Sequence, residues 1–587
     1  METNKYTWDT SILVKNQDDY NKKIEKLQQL AAKLLSYKGK LSEQDMFVSL
    51  TMDLEEYSKV AENLLLFLSL KQTQNKKDHK AIGEIQKLSF MLEKTQKELT
   101  FIDVEKKHFS NAYINQLVTL PQLFPYKRDL LKIKEDKKHI LKEEEEKLLC
   151  GAVSCFDYYG IFKSLSTSEL AFEPIKMPNG KLVKINESTA SVYRTHKDHN
   201  VRKQAALSVL NAYKKHNLTI AQNYAADIKA DEFVAKAKNF KNSLSAELYS
   251  EEISENVYNN LIESVHDNLG WFYKYAGLRK KLLGGKISIV DFSNPLFAAS
   301  NKKYTYEDSL ELVNNALSIL GEDYLQKLNN LAKDGYVDVF PKPNKETGAF
   351  QTSDLLGHQF VMLNHVGTYD SVSTIAHEFG HAMHSAYTEK TQPYNNRSYS
   401  IFVAEVASTV NEILLANHMM NLQTKQKAKM GYIEKLLMEV ASCVFRQTMF
   451  AEFEQWAHEQ VENGKSLTYN DLNNKYKQLL RLYFGKNVKV YNEYQYEWSR
   501  VPHFYSSFYV YKYATGLLAA MLIVDQLQTV PNFEKQYKKF LSAGSSDKPT
   551  ELLKIVNVDF EKKETFDKAF NIYKKWIKQM EDYTAKC

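Results

Sequence analysis

Apolar residues recur at helical spacing through most of the chain. Between Tyr20 and Ser36 they fall at Ile24, Leu27, Leu30, Ala31 and Leu34, close to the 3.6-residue period of an amphipathic helix. Val257, Leu261, Val265 and Leu269 repeat every four residues. Residues 1–190 read as successive amphipathic helices. Ser42, just before Glu43, Gln44 and Asp45, reads as a helix start. Lys71 to Lys80 reads as a loop between two helices, and Glu143–Glu146 as the solvated face of another.

The period changes twice. Met177-Pro178-Asn179-Gly180-Lys181 is a hairpin signal, because Asn-Gly supplies positive φ, and Lys181–Ile185 alternates like a short strand. This places a boundary near residues 176–186, between an N-terminal helical region (1–190) and a longer region (191–587). From Ile287 to Leu363 four short stretches read as strands: Ile287–Phe292, Tyr336–Phe340, Gly348–Gln351 and Phe360–Leu363. A small sheet inside a mainly α protein is the expectation. Past it the chain is again helical to Cys587.

Composition agrees with that picture. In 587 residues, 43% are hydrophobic and 26% charged, which excludes dominant disorder. Only 20 Gly and 11 Pro argue against a turn-rich β-sandwich or propeller. By length alone, about two to four domains of 100–200 residues would fit. The net charge of +6 comes from 78 Lys and Arg, of which Arg is only about a tenth, spread along the chain. A nucleic-acid protein usually clusters its cations and uses Arg forks, so no nucleic-acid partner is expected. Cys150, Cys155, Cys443 and Cys587 form no C-x-x-C pair and no disulfide framework. The N-terminus opens on no apolar signal-type stretch, and apolar runs such as Leu64–Leu70, with Ser69 inside it, are far short of a membrane span. A cytoplasmic protein without a membrane partner is the expectation.

The chemistry sits in Asp370-Ser-Val-Ser-Thr-Ile-Ala-His377-Glu378-Phe379-Gly380-His381-Ala-Met-His384. Asp370 reads as an N-cap, and Val372, Ile375, Ala376, Phe379 and Met383 mark a helical apolar face. His377 and His381 are then i and i+4, one turn apart on one face, with Cβ atoms about 5–6 Å apart. Two imidazoles so placed can take two corners of a zinc tetrahedron. Glu378, rotated by about 100° around the helix, borders the metal and can take a proton from its water. Catalytic zinc usually has a third protein ligand. Glu405 follows His381 by 24 positions, after a loop at Pro393–Asn396 and inside a second helical segment, Ser398–Glu412. Its neighbours Val403, Ala404, Val406 and Ala407 are apolar, and a carboxylate there is costly unless it ligates or pairs. It is the third-ligand candidate, against an ordinary part-exposed Glu. Glu412, seven residues on, either accepts a hydrogen bond from a ligand histidine or lies at the surface. His384, His358 and His365 are weaker candidates for substrate or metal contact.

Together, His377-Glu378-Phe379-Gly380-His381-Ala-Met-His384 and Phe402-Val403-Ala404-Glu405-Val406-Ala407-Ser408 resemble the thimet-oligopeptidase family of zinc peptidases, and within it the oligoendopeptidase F branch. Gly348-Ala349-Phe350 resembles the family's edge strand before the zinc helix, and Pro502–Gly516 its aromatic segment. The resemblance spans the chain: 1–190 as the oligoendopeptidase F type of N-terminal region, 191–587 as the peptidase region. It implies a zincin-like (gluzincin), mainly α ellipsoid with a deep substrate channel and a small β-sheet beside the active-site helix. It further implies one zinc ion, a cytosolic enzyme and short peptides as substrates.

Residues 503–513 hold one His and four Tyr, donors suited to an oxyanion. Read as a helix, the segment puts His503 and Tyr511 on one face and Tyr505, Tyr509 and Tyr513 on another. In the family a His and a Tyr from here stabilise the tetrahedral species, which leaves His503 with Tyr511 or Tyr509. The functional expectation is a zinc-dependent endopeptidase for short unfolded oligopeptides, monomer or homodimer. His377, His381 and Glu405 hold zinc, Glu378 assists attack by zinc-bound water, and Gly348–Phe350 aligns substrate as an added strand. The alternatives are a dipeptidyl carboxypeptidase or carboxypeptidase on the same architecture, which must grip a C-terminal carboxylate, or a non-catalytic helical binding protein.

Overall fold

The computed structural model describes residues 5–153, 155–292, 294–297, 302–332 and 335–586. Cys587 and the first four residues fall outside them. The chain is mainly helical, as the periodicity predicts. Helix Gln17–Leu35 buries Leu27 and Leu34, and helix Gln44–Gln74 follows it. Ser42 does not cap that helix: Glu43 holds the cap position and no side chain closes it. The helix also runs four residues into the expected loop, which shrinks to Asn75–Asp78 before Asp78 accepts the N–H of Ala81 (3.0 Å) and starts the next helix. Glu143–Glu146 open a helix, where carboxylates favour the positive end of the dipole.

Five short strands occur among the described residues. β1 (Ile175–Lys176) and β2 (Leu182–Val183) form the expected hairpin, with Gly180 at φ 84° in its turn. β3 (Val337–Asp338), β4 (Phe350–Ser353) and β5 (Gln359–Met362) form a three-stranded sheet ordered β3-β5-β4. β5 is wholly buried; β4 pairs with it antiparallel and β3 parallel. Trp8 braces this sheet: its Nε1 donates to Tyr336 O (3.0 Å) and Val361 O (3.1 Å), and its ring meets Phe350 and Phe360. The first of the four stretches expected as strands, Ile287–Phe292, is not one. Residues 289–291 form a 3-10 turn, with a single bridge from Ser288 to Lys489. Asp291 explains this. Its carboxylate accepts from Ser288 N (2.7 Å) and Ser288 Oγ (2.8 Å), and meets Arg202 (2.6 Å) and His199 (2.8 Å), so the chain curls around it.

The chain divides into two compact units interleaved in sequence. One comprises Met1–Ser154, Lys302–Leu415 and Thr529–Val556; the other comprises Cys155–Asn301, Ala416–Gln528 and Asn557–Cys587. In the first, helices from the N-terminal part pack with Phe360 and Met362 of β5 into one apolar core. The second is helical and holds a buried ion pair, Arg279–Glu434, and a part-buried one, Arg446–Glu497 (both 2.6 Å). No helix among the described residues is long and apolar enough to cross a membrane. Cys150, Cys155 and Cys443 are not in disulfides.

Candidate metal centre

The motif lies on helix Tyr369–Thr391 of the first unit. Thr368, not Asp370, is its N-cap: Thr368 Oγ1 accepts the Ser371 N–H (3.3 Å). Asp370 sits in the first turn, where an acid complements the dipole. Val372, Ile375, Ala376, Phe379 and Met383 are 0% exposed, so the apolar stripe faces inward and packs against β4, β5 and neighbouring helices. That packing fixes the rotation of the helix and hence the direction of His377 and His381. At its far end Gln392 turns extended just before Pro393, which cannot continue a helix.

A second helix, Ile401–Asn421, brings Glu405 and Glu412 alongside. The two backbones come close at Gly380. A Cβ there would lie 2.4 Å from Ser408 Cα and 2.7 Å from Ala407 O. Asn411 ties them further, donating to Ala376 O (3.0 Å).

His377 Nε2 and His381 Nε2 are 3.2 Å apart, and Glu405 Oε2 lies 3.4 Å and 3.6 Å from them. Three donor atoms can thus share one ion. A tetrahedral zinc, with bonds near 2.0–2.1 Å, spaces its donors by about 3.3–3.4 Å, so the residues present fit the ion. Glu412 Oε2 lies 3.2 Å from His377 Nδ1, which turns Nε2 toward the other two donors, and Glu412 Oε1 accepts from Ser373 Oγ (3.1 Å). Ser408 Oγ donates to Glu405 Oε2 (3.2 Å).

Charge in the site is unbalanced without a cation. Burial works against the charged form of His377, but Glu412, Glu378 and Glu405 outweigh it and raise this imidazole to about 9. His381 is lowered to about 3 by burial and by the neighbouring His377. Glu378 is pushed up to about 7: burial raises it, His377 opposes, and Glu405 and Glu412 add to the rise. Three carboxylates around two imidazoles favour a dication. Glu378 itself is buried, at 6% exposure, and takes no part in the three-donor set.

The weaker histidines are engaged elsewhere. His384 is buried and stacked on Tyr399 (centroids 3.7 Å apart). His358 pairs with Asp354 (2.8 Å), and His365 Nε2 meets Ser309 Oγ (3.1 Å). Of the Gly348-Ala349-Phe350 stretch, only Phe350 is in a strand. Gly348 adopts φ 81°, which turns the chain into β4 rather than extending it.

The aromatic segment lies in the second unit and is not one helix. Pro502–Tyr505 is a 3-10 turn, and helix Tyr511–Thr529 starts only at Tyr511. Between them Phe508 takes φ 55° while its N–H donates to Glu454 Oε1 (2.9 Å). The expected faces therefore do not form. His503 stacks on Tyr509 (centroids 5.7 Å apart, planes 5° apart), and its Nε2 lies 3.4 Å from Tyr513 Oη. Burial lowers His503, favouring neutral imidazole. Tyr511 is 0% exposed and packs edge-on against Tyr258. Sequence reasoning missed the parts played by Ser373 and Gly380. Both had a signal, since Ser373 precedes His377 by one turn and a mid-helix glycine suggests close approach.

A histidine pair and a carboxylate on two packed helices, beside a buried glutamate and a small sheet, define a metallopeptidase-type site. Residues 192–572 match Peptidase family M3, and residues 107–172 match its Oligopeptidase F N-terminal family. The chain belongs to peptidase family M3 and is a metallo-oligopeptidase. The chain is 33% identical to an oligoendopeptidase F homolog of Borreliella burgdorferi, over 97% of this chain and 96% of that protein. It is 30% identical to the oligopeptidase PepF of Bacillus subtilis, over 99% of this chain and 87% of that one. Among solved structures, a peptidase of Chlamydophila abortus aligns with TM-score 0.88 at 30% identity, covering 98% of both chains. Oligoendopeptidase-F of Enterococcus faecium aligns with TM-score 0.79 at 26% identity, covering 97% of this chain and 99% of that one.

Proposed function

We propose that the chain is a zinc-dependent endopeptidase of short, unfolded peptides, with residues 191–587 as its catalytic region. The observation that carries this reading is the spacing of His377 Nε2, His381 Nε2 and Glu405 Oε2, 3.2–3.6 Å apart, which matches the edges of one zinc tetrahedron. Zinc held there supplies Lewis acidity toward a water and a peptide carbonyl. Glu378, buried beside the three donors, takes the proton of the attacking water and hands it to the departing amine, so both bonds change without free acid or base. Glu412 holds His377 in the tautomer whose Nε2 is free to ligate. His503 and Tyr509 donate to the developing oxyanion, while buried Tyr511 serves packing. β4 takes the peptide as an added strand, with Gly348 and Ala349 leading into it; main-chain pairing tolerates varied side chains. The cysteines are scarce, and Cys150, Cys155 and Cys443 are not in disulfides, which accords with a reducing, cytoplasmic setting.

Two measurements test this together: zinc per chain by mass spectrometry, and product masses from a nonapeptide supplied both with an amidated and with a free C-terminus. The expected result is one zinc and an internal cut. Cleavage only of the free-acid peptide, two residues or one from its end, would transfer the chain to the carboxypeptidase reading.

A further inference from the structure

His503 and Tyr509 are six residues apart, yet their rings stack with centroids 5.7 Å and planes 5° apart. No regular element does this. Six residues of α-helix separate two side chains by about 9 Å along the axis and about 240° around it. Six residues of strand separate them by about 20 Å. The chain must reverse between them, and it does so in two linked turns. Ser506 N–H donates to His503 O (2.9 Å), and Tyr509 N–H donates to Ser506 O (3.2 Å). Inside the second turn Phe508 sits at φ 55°. A bulky residue rarely holds that left-handed conformation unaided. Phe504 and Phe508, within the reversal, are each 1% exposed, whereas His503 and Tyr509 are half-buried. The reversal hides the two phenyl rings and presents the stacked pair.

The Phe508 ring lies on His458 (centroids 4.6 Å apart) and edge-on to Tyr258 (6.2 Å). Ring burial alone would leave the Phe508 N–H without an acceptor. Glu454 supplies one: its Oε1 accepts that N–H (2.9 Å) from the middle of helix Arg446–Glu462, in the same unit. Glu454 is 0% exposed, and its Oε2 has no hydrogen-bond partner. A carboxyl is costly to bury, and this one is buried for its bond to Phe508. Burial pushes it well above the usual carboxyl range; the Phe508 N–H and Lys512 oppose the rise, and Asp231 and Glu247 add to it. The acceptor is therefore a neutral carboxyl, which an amide can imitate and a hydrocarbon cannot. A well-packed apolar residue would avoid the burial cost but leave the Phe508 N–H unsatisfied. Next to it, Ser507 Oγ donates to Asp231 of helix Asn217–Ala237.

We infer that Glu454 is a positioning residue of the peptidase: by holding Phe508 in its left-handed turn, it stacks Tyr509 on His503 and presents the pair to the substrate. This rests on the oxyanion role given to that pair above. Glu454 itself is sealed from substrate and acts only through the aim of the two donors. Donors of this kind help a transition state only when held to within about 0.5 Å of their target.

The test compares Glu454→Gln, which keeps an acceptor, with Glu454→Leu, which does not, in the full-length, zinc-loaded chain. Histidine labelled with carbon-13 at Cε1 gives one resonance per ring, and that of His503 is identified by its loss in His503→Ala. The ring current of the stacked Tyr509 displaces this resonance, and Tyr509→Leu marks its unstacked position. Glu454→Gln should leave the resonance at its wild-type position, and Glu454→Leu should bring it most of the way to the unstacked one. On a short peptide, Glu454→Leu should lose about ten- to a hundredfold in kcat with KM within about threefold, and Glu454→Gln should lose less than about threefold. With His503→Ala and Tyr509→Phe already in place, Glu454→Leu should cost less than about threefold more, as expected of a residue that acts through them. A full second loss there, or a His503 resonance unmoved in Glu454→Leu, overturns the inference. Glycine takes positive φ unaided, so Phe508→Gly should restore folding to a Glu454→Leu chain that had lost it. A chain that stays unfolded with both changes makes Glu454 a structural residue and also overturns the inference. A resonance that moves while kcat holds keeps Glu454 as the positioner and removes instead the oxyanion role of the pair.

Discussion

The two helices that carry His377, His381, Glu405 and Glu412 are regular across the stretch that matters, whereas the aromatic segment from Pro502 to Tyr511 changes direction twice. In the first region residue spacing translates into distance, because each residue adds a fixed rise and rotation. In the second, a 3-10 turn and the left-handed Phe508 reset the direction of every later side chain. The same arithmetic that placed two histidines together set His503 beside Tyr511, when its neighbours are Tyr509 and Tyr513. Spacing is informative only where the element is continuous.

The widest gap between the regions should appear with Glu378→Gln. It keeps shape and hydrogen bonding but cannot take a proton. We expect kcat to fall by about 10³–10⁴, near the upper end for a general base, with zinc content unchanged. Retained turnover in a zinc-loaded variant would remove the chemistry from the regular region.

Next come Tyr509→Phe and Tyr511→Phe, compared directly. The first should cost about 10² in kcat with little change in KM, as for one oxyanion donor, and the second less than about threefold. The opposite ranking would mean that the segment behaves as the continuous helix it is not here.

Glu412→Gln weakens the orientation of His377 and should lower zinc affinity by about 10–100-fold, measured by chelator competition. The smallest effect sharpens where the motif helix begins. Thr368→Ala should cost about 1 kcal/mol in urea unfolding and Asp370→Ala about half that or less, with zinc stoichiometry intact in both.

Much of the first region was legible. The apolar stripe at Val372, Ile375, Ala376, Phe379 and Met383 gave the buried face, and the polar positions between them gave the histidines. The apolar setting of Glu405 marked its carboxylate as needing a partner. What was not legible came from tertiary hydrogen bonds. Ile287–Phe292 has the composition of a strand, but Arg202 and His199, about 90 residues earlier, converge on Asp291 and curl it. Phe508 could not be foreseen as left-handed, because what holds it is the Glu454 carboxylate from a distant helix. Nor does a single sequence show that its two compact units each draw on three separate stretches of chain.

Gly380 gives the motif a meaning its letters hide. The two variable positions of His-Glu-x-x-His are not interchangeable here: Phe379 anchors the core, while position 380 is a clearance. Functional geometry of this kind tolerates errors of only about 0.5 Å. A methyl group on Gly380 would need more room than that, and would wedge Ser408, one turn beyond Glu405, away from the histidines. Glu405 would then stand too far from the histidines to share one ion with them, although all three residues are still encoded. In this chain the spacing of the three candidate donors is set by an atom that is absent, at a residue that is not among them.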